Sequence, residues 1–272
     1  MSHKPFHSTS PAASVSAGEH LRRLRRQAGL SQLELALLAG VSQRHLSCVE
    51  TARAKASPST LHALLSALDV PLEQCNDIFL AAGFAPRYVA SAPDHPAMNM
   101  VHEAVGHLLQ ANNPAPALVI AGNWNVIAAN ASTGLLLDMV GIDADRLAGL
   151  NLLDTLLRPG GLGDHLVNAD EIRAIAWQRA AREAVRSPEL ARLMRDLPVT
   201  PALPLNQAPA PVVLTRLRSR LGELKFLSTF TTFGMPLDIT VESLRIEHLI
   251  PADRATWHIM TTAYNAWSVG RN

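Results

Sequence analysis

The sequence predicts two domains of different class, an all-α domain of five helices followed by an α+β domain. Three observations predict this. Helix start and stop signals crowd residues 16–82, an aperiodic interval with three prolines follows at 83–96, and beyond it short apolar runs of strand length alternate with helical stretches. The length of 272 residues agrees, since one domain usually takes roughly 100–200. With 48% hydrophobic and 17% charged residues, the bulk of the chain is not a disordered one. The expected layout is a disordered tail over 1–15, rich in Ser, Ala and Pro, then a helical domain over 16–83, a linker over 84–97 and the α+β domain over 98–272.

The first helix is expected from Ala17 to Ala28, with Leu21 and Leu24 on its buried side, and Gly29 ends it. Ser31-Gln32-Leu33-Glu34 is a capping box that starts the second helix, whose apolar face would be Leu35, Ala36, Leu38 and Ala39. Gly40 permits a positive φ at the turn, Val41 plugs the corner, and Ser42 caps a third helix over 43–51 with Leu46 and Val49 inward. Two more helices follow, 59–68 and 72–82.

A short glycine-containing turn between two capped helices is a helix-turn-helix pattern. In that geometry the second of the pair presents its N-terminal residues to base edges in the major groove. Here those residues are Ser42, Gln43, Arg44 and, one turn on, Ser47. Gln can bond adenine and Arg can bond guanine, each through two hydrogen bonds. Gln32 is expected on a phosphate at the start of the second helix, and Arg53 and Lys55 on phosphates from the loop after the third. Charge supports a polyanion partner for this end only. Residues 16–60 carry seven basic and three acidic side chains, although the whole chain is only +1.

The stretches Gly29-Leu30-Ser31-Gln32-Leu33-Glu34-Leu35-Ala36 and Gly40-Val41-Ser42-Gln43-Arg44-His45-Leu46-Ser47-Cys48-Val49-Glu50 resemble the XRE-type helix-turn-helix regulators. That family has glycine where this chain has Ala52, so the turn after the third helix is expected to differ slightly.

In the second domain, a helix is expected over 98–111. Ala117-Leu118-Val119-Ile120-Ala121 and Trp124-Asn125-Val126-Ile127-Ala128-Ala129 flank Gly122-Asn123 as a hairpin would. Asn130 can cap a helix over 131–139, and further helices are expected over 168–186 and 188–197. A proline-rich loop over 198–211 leads to strands at 212–217, 224–233 and 239–247, and a last helix begins after Pro251. A small antiparallel sheet with helices on one side is an α+β layout.

Residues 83–262 resemble the ligand-binding domain of MmyB-like transcription regulators, on four stretches. They are Ala82-Gly83-Phe84-Ala85-Pro86, Asn123 to Asn130, Thr229-Phe230-Thr231-Thr232-Phe233-Gly234-Met235-Pro236, and Leu244-Arg245-Ile246-Glu247 with Pro251-Ala252-Asp253. The resemblance implies a PAS-like domain, in which a sheet and its helices enclose an apolar pocket, and a small apolar ligand such as a fatty acid. One departure is Arg158, where histidine is more usual. Ligand pockets are mostly apolar with a few orienting polar groups. The candidates are Trp124, Phe230 and Phe233 for the walls, and Asn130, His165, Asn168 and Thr232 for the polar points.

Other chemistries find little support. His102 and His107 lie five apart, about 140° of helical rotation, so they do not share a face as a zinc pair four apart would. Gly160-Gly161-Leu162-Gly163 lacks the setting and lysine of a phosphate loop, and no Gly-x-Ser-x-Gly elbow occurs. No metal, cofactor or catalytic constellation is expected beyond the small ligand. Cys48 and Cys75 are too few for a disulfide framework and read as reduced thiols. No apolar run reaches the ~18 residues of a membrane span. The expectation is a bacterial, cytoplasmic, homodimeric regulator that binds double-stranded DNA and a small molecule. The alternative is a protein-interaction module or antitoxin-like scaffold without ligand sensing.

Overall fold

A computed structural model describes residues 16–143, 147, 149–185, 187–199 and 211–270. The tail over 1–15 and most of the proline-rich loop lie outside the described residues. The chain divides into two compact units. One is Met1–Ala90 with Leu237–Ile239, and the other is Ser91–Pro236 with Thr240–Asn272.

The first unit is five helices: α1 Ala17–Gln27, α2 Gln32–Leu38, α3 Gln43–Glu50, α4 Pro58–Ala67 and α5 Leu72–Ala81. Local chemistry starts most of them. Ser16 and Ser31 form capping boxes with Glu19 and Glu34. Ser42 and Ser57 cap α3 and α4, and Pro58 adds a pre-set φ at the first helical position of α4. Leu21, Leu35, Leu46, Leu61, Leu64, Leu65 and Ile78 are fully buried and fuse the five helices around one core. Gly18 lets α1 approach α3 closely, since a Cβ there would meet the Val49 carbonyl oxygen at 2.2 Å. Gly40 takes φ 66° in the turn between α2 and α3.

Three details differ from the sequence expectation. Leu38 is 64% exposed, because the buried stripe of α2 is Leu35 and Ala36 alone. The interval read as linker begins with ordered chain. Tyr88 is buried in the helical core, and the Asn76 side chain holds it by accepting from the Arg87 and Tyr88 amides and donating to the Tyr88 carbonyl. The same unit takes in Leu237–Ile239, with Asp238 bridged to Val89 and Ile239 packed on the core.

The second unit contains α6 Asn99–Asn112, β1 Ala117–Ile120, β2 Val126–Ala129, α7 Ala131–Val140, α8 Leu152–Leu157, α9 Ala169–Ala184, α10 Pro188–Arg195, β3 Leu214–Ser219, β4 Gly222–Thr231, all but the first residue of α11 Ile239–Ser243, β5 Arg245–Pro251 and α12 Arg254–Val269. The five strands form one antiparallel sheet in the order β2-β1-β5-β4-β3. This is the PAS-like α+β arrangement that the resemblance implies. Where a single strand over 239–247 is expected, the chain forms α11 and then β5, which starts at Arg245.

Both faces of the sheet are covered, and β1 shows why. Its burial is continuous, with Ala117 and Val119 facing α6 while Leu118 and Ile120 join the larger core. The α6 side is a small cluster of Val105, Leu109, Ala117, Val119, Leu244 and Ile246. The opposite side holds the main core, which includes Leu153, Leu166, Ala180, Leu190 and Phe226. No helix among the described residues is long and apolar enough to cross a membrane.

Candidate DNA-facing helix and ligand cavity

The helical unit is organised around a buried ion pair. Arg25 on α1 and Glu50 at the end of α3 meet through two hydrogen bonds, Nε to Oε1 at 2.6 Å and Nη2 to Oε2 at 3.0 Å. The Arg25 Nη1 donates to the Leu30 carbonyl at 2.7 Å, which ties the α1–α2 turn to the same pair. Burial alone would raise the Glu50 pKa. Hydrogen bonds from Arg25 and Gln32 and the Arg25 charge overcome this and hold it below the ordinary carboxylate range.

With α3 fixed in this way, its N-terminal residues face outward. Gln43 and Arg44 are exposed, and Ser42 is committed as a cap, accepting from the His45 amide at 3.1 Å. Ser47 is half-buried one turn on, and Arg53 and Lys55 are exposed in the following loop. Gln32 departs from expectation. Its side-chain amide turns inward and donates to Glu50 at 2.9 Å, so the side chain braces the ion pair instead of projecting toward a phosphate. Ala52 adopts φ 56°, so the left-handed turn that favours glycine is kept although the glycine is not there.

In the second unit, a cavity of about 360 Å³ opens between the sheet, α8 and α9. Its apolar wall includes Ile120, Trp124, Leu152, Leu156, Ile172 and Leu227. Its polar side is a cluster of charges. Arg179 and Glu183 lie one turn apart on α9, and Arg245 and Glu247 lie two residues apart on the same face of β5. Glu183 accepts from Arg245 Nη1 at 2.5 Å, from Trp124 Nε1 at 2.8 Å and from Arg179 Nε at 3.1 Å. The Arg179 guanidinium stacks on the Phe230 ring, 3.9 Å from its centre, and Arg245 lies over Trp124 at 5.4 Å.

The two carboxyls of the cluster are driven in opposite directions. Burial would raise Glu183, but its three donors and the Arg245 charge hold it below the ordinary carboxylate range. Burial dominates at Glu247 and raises it, offset only in part by a hydrogen bond from Ser228 and the charges of Arg179 and Arg245. The buried Nε of Arg245 donates to no partner among the described residues. A second, narrower cavity of about 100 Å³ is lined by Leu118, Leu136, Leu137, Ile142 and Leu249. Leu152, Leu156, Ile172, Thr215 and Glu247 line both cavities, so the two are neighbours across Glu247.

Of the residues expected at the ligand, Trp124 and Phe230 line the cavity. The other five do not, and each has a physical reason. Asn130 is buried and fully engaged, accepting from the Ala117 and Thr133 amides and donating to the Leu109 and Ala115 carbonyls, which joins α6, β1 and α7. Asn168 precedes α9 and ties that end to β3 by donating to the Leu214 carbonyl and accepting from the Arg216 amide. His165 ends a single 3-10 turn and lines neither cavity. Thr232 lies past the end of β4 and is exposed, and Phe233 packs with the small cluster on the α6 side of the sheet. Arg158 pairs with Asp154 at 2.6 Å on the surface, away from both cavities.

The sequence reading missed Arg179, Glu183, Arg245 and Glu247. One signal was available: Arg245 and Glu247 alternate with Leu244 and Ile246, so two charges share one face of a strand whose other face is apolar.

A helix-turn-helix unit joined to a sheet domain with a polar-walled cavity defines a class, the ligand-responsive transcription regulators. Comparison with known families agrees. A model of a helix-turn-helix domain matches residues 16–76, and a model of the MmyB-like transcription regulator ligand binding domain matches residues 101–262. The chain belongs to the MmyB-like transcription regulators. Its first domain is thus a DNA-binding domain and its second binds a small molecule; both matched families are regulatory.

Among solved structures, the restriction-modification controller protein C.AhdI from Aeromonas hydrophila is 34% identical, with 22% of this chain and 89% of that one covered and a TM-score of 0.21. A PAS domain from a two-component sensor histidine kinase is 15% identical, covering 56% of this chain and 97% of that one at a TM-score of 0.25. A domain of a sensory box histidine kinase/response regulator from Geobacter sulfurreducens is 9% identical, covering 58% and 99% at 0.26. No curated protein matches the chain.

Proposed function

We propose that this regulator acts in the bacterial cytoplasm as a homodimer, reads a specific DNA site through α3, and is controlled by an apolar acid of the fatty-acid type held in the second unit. Gln43 and Arg44 would touch base edges, Ser42 and Ser47 would flank them, and Arg53 and Lys55 would hold phosphates. Paired recognition helices would fall about one DNA turn apart, ~34 Å, and the ligand would shift the balance between two arrangements of the dimer.

The observation that carries the ligand class is the pairing of an apolar cavity with two arginines that share one firmly ionised partner, Glu183. Arg179 and Arg245 converge on this wall, and the buried Nε of Arg245 has no acceptor among the described residues. A ligand carboxylate would accept from these guanidiniums, while the alkyl chain lies along Leu152, Leu156 and Ile172.

The test is a titration of the whole protein with decanoate and decanol, followed by the same titration of Arg245→Met. The acid is expected to bind more tightly than the alcohol. Loss of one charge-assisted hydrogen bond, about 2 kcal/mol, predicts roughly thirtyfold weaker acid binding in the variant. Equal affinities for acid and alcohol, or no change in Arg245→Met, would sink the reading of the ligand. Selection from randomised DNA tests the other half. Gln43→Ala combined with Arg44→Ala should abolish enrichment of any one site, and unchanged enrichment would remove α3 from the role.

A further inference from the structure

One group in the cavity is not explained by an acid with a plain alkyl tail. Glu247 lies on β5 between the two cavities and lines both, with Arg179, Arg245 and Ser228 on the side of the larger cavity and mostly apolar side chains on the side of the smaller one. Its Oε1 accepts from Ser228 Oγ at 2.5 Å, and no other hydrogen bond to its carboxyl occurs among the described residues. The facing charges are Arg179 on α9 and Arg245 on its own strand. Both arginines make their hydrogen-bonded ion pairs with Glu183 instead. The second carboxyl oxygen thus has no donor among the described residues, on a residue that lines both cavities. A methylene chain laid across it would bury a polar oxygen and satisfy nothing, which is unfavourable.

We propose that Glu247 and Ser228 form a second polar station inside the cavity, and that the ligand is an alkyl acid carrying a hydroxyl part-way along its chain. The inference rests on the acid reading above. Strand geometry sets the depth. Arg245 and Glu247 are two residues apart on one face, roughly 7 Å along the strand, so the hydroxyl sits a few carbons in from the carboxylate. Beyond Glu247 the second cavity is lined mainly by leucines and Ile142, and the hydroxyls of Thr133 and Thr155 there are already hydrogen-bonded within the protein, which suits an alkyl end better than a terminal hydroxyl. The Glu247 carboxyl accepts hydrogen bonds and the Ser228 hydroxyl beside it can also accept, so the pair offers a chain hydroxyl partners that a plain alkyl chain cannot use.

The experiment titrates the full-length protein with decanoate and with decanoates hydroxylated at successive carbons from β to ω. One internal position is expected to bind about tenfold tighter than decanoate, and the ω-hydroxy acid more weakly than decanoate. In Glu247→Leu the internal preference should vanish or invert. Glu247→Met, nearer in length, serves if the leucine variant does not fold, and Glu247→Gln should keep the preference because an amide oxygen also accepts. A flat series in the wild type overturns the second station while leaving the acid reading intact. So does an internal preference that survives in Glu247→Leu or Glu247→Met. If neither decanoate nor any hydroxy acid binds, the acid reading falls and this inference falls with it.

Discussion

The two units each bury arginines against glutamates, and the pairs differ in whether they are finished. In the helical unit Arg25 and Glu50 meet by two short bonds, Arg25 also reaches the Leu30 carbonyl, and Gln32 supplies Glu50 with a further donor. In the sheet unit Glu183 has three donors, but among the described residues Arg245 keeps a buried Nε without an acceptor and Glu247 an oxygen without a donor. A closed pair holds helices together. An open cluster at a cavity leaves charge for something else to complete. Burial of charge is therefore not the mark of a binding site; incomplete satisfaction beside a cavity is.

The largest expected effect breaks the closed pair. Glu50→Ala strands a guanidinium that is almost fully buried in the folded chain. Breaking one side of such a pair costs about 3–5 kcal/mol, which is a large share of what holds a small helical unit together. Hydrogen exchange over α1–α5 should rise strongly in this variant. Tryptophan fluorescence gives the contrast, because the four tryptophans, Trp124, Trp177, Trp257 and Trp267, all lie in the other unit. Unchanged exchange over α1–α5 would show that the pair is dispensable.

A smaller effect sharpens the comparison through pH. Glu50 has a folded pKa below its ordinary value of 4.5. Its contribution is fully present above 4.5 and is lost as pH falls through the lowered folded pKa. Glu247 runs the other way. Its folded pKa lies above 4.5, so its contribution is fully present below that value and is lost as pH rises through the raised one. Acidification below 4.5 should therefore lower the exchange protection of the helical unit, taken relative to the intrinsic rate at each pH, through Glu50. The sheet unit, followed by tryptophan fluorescence in denaturant, should lose stability on the alkaline side of 4.5. Glu247→Gln should flatten that alkaline limb, and an unchanged limb would assign it to other groups.

The same contrast explains what the sequence made legible. Ser31 and Ser42 were readable as caps because a cap bonds an amide three residues away, and local chemistry of that kind is written in adjacent letters. The Arg25–Glu50 pair spans 25 residues, and Arg179 meets Phe230 across still more chain, so neither is visible from spacing. Arg245 and Glu247 were hidden for a different reason. Placing a strand over 239–247 puts them at its end, whereas β5 begins at Arg245 and makes them the first two residues of its cavity face. Asn130, His165, Asn168 and Thr232 are polar residues near turns, and turn residues serve caps and loop ties as readily as ligands. Only the tertiary structure separates those uses.

The smallest expected effect lies in the turn that follows Glu50. Ala52 holds φ 56°, a conformation that costs a residue with a Cβ roughly 1–2 kcal/mol. Glycine would remove that strain but would give back roughly 0.4–1 kcal/mol through the greater freedom of the unfolded chain. Ala52→Gly should therefore change the stability of the helical unit by roughly 0 to 1.6 kcal/mol in the favourable direction, a rise of at most several degrees in its melting temperature. Trp124 in the sheet unit has a similar strain, φ 70°, and the opposite forecast. Its ring is a cavity wall and its Nε1 donates to Glu183, so glycine there would remove both. Ala52 lines neither of the two cavities of the sheet unit, so its strain can be relieved without loss to them. Calorimetry and hydrogen exchange on Ala52→Gly decide the point, and a lower melting temperature would mean that the alanine methyl makes a contact worth more than the strain it causes.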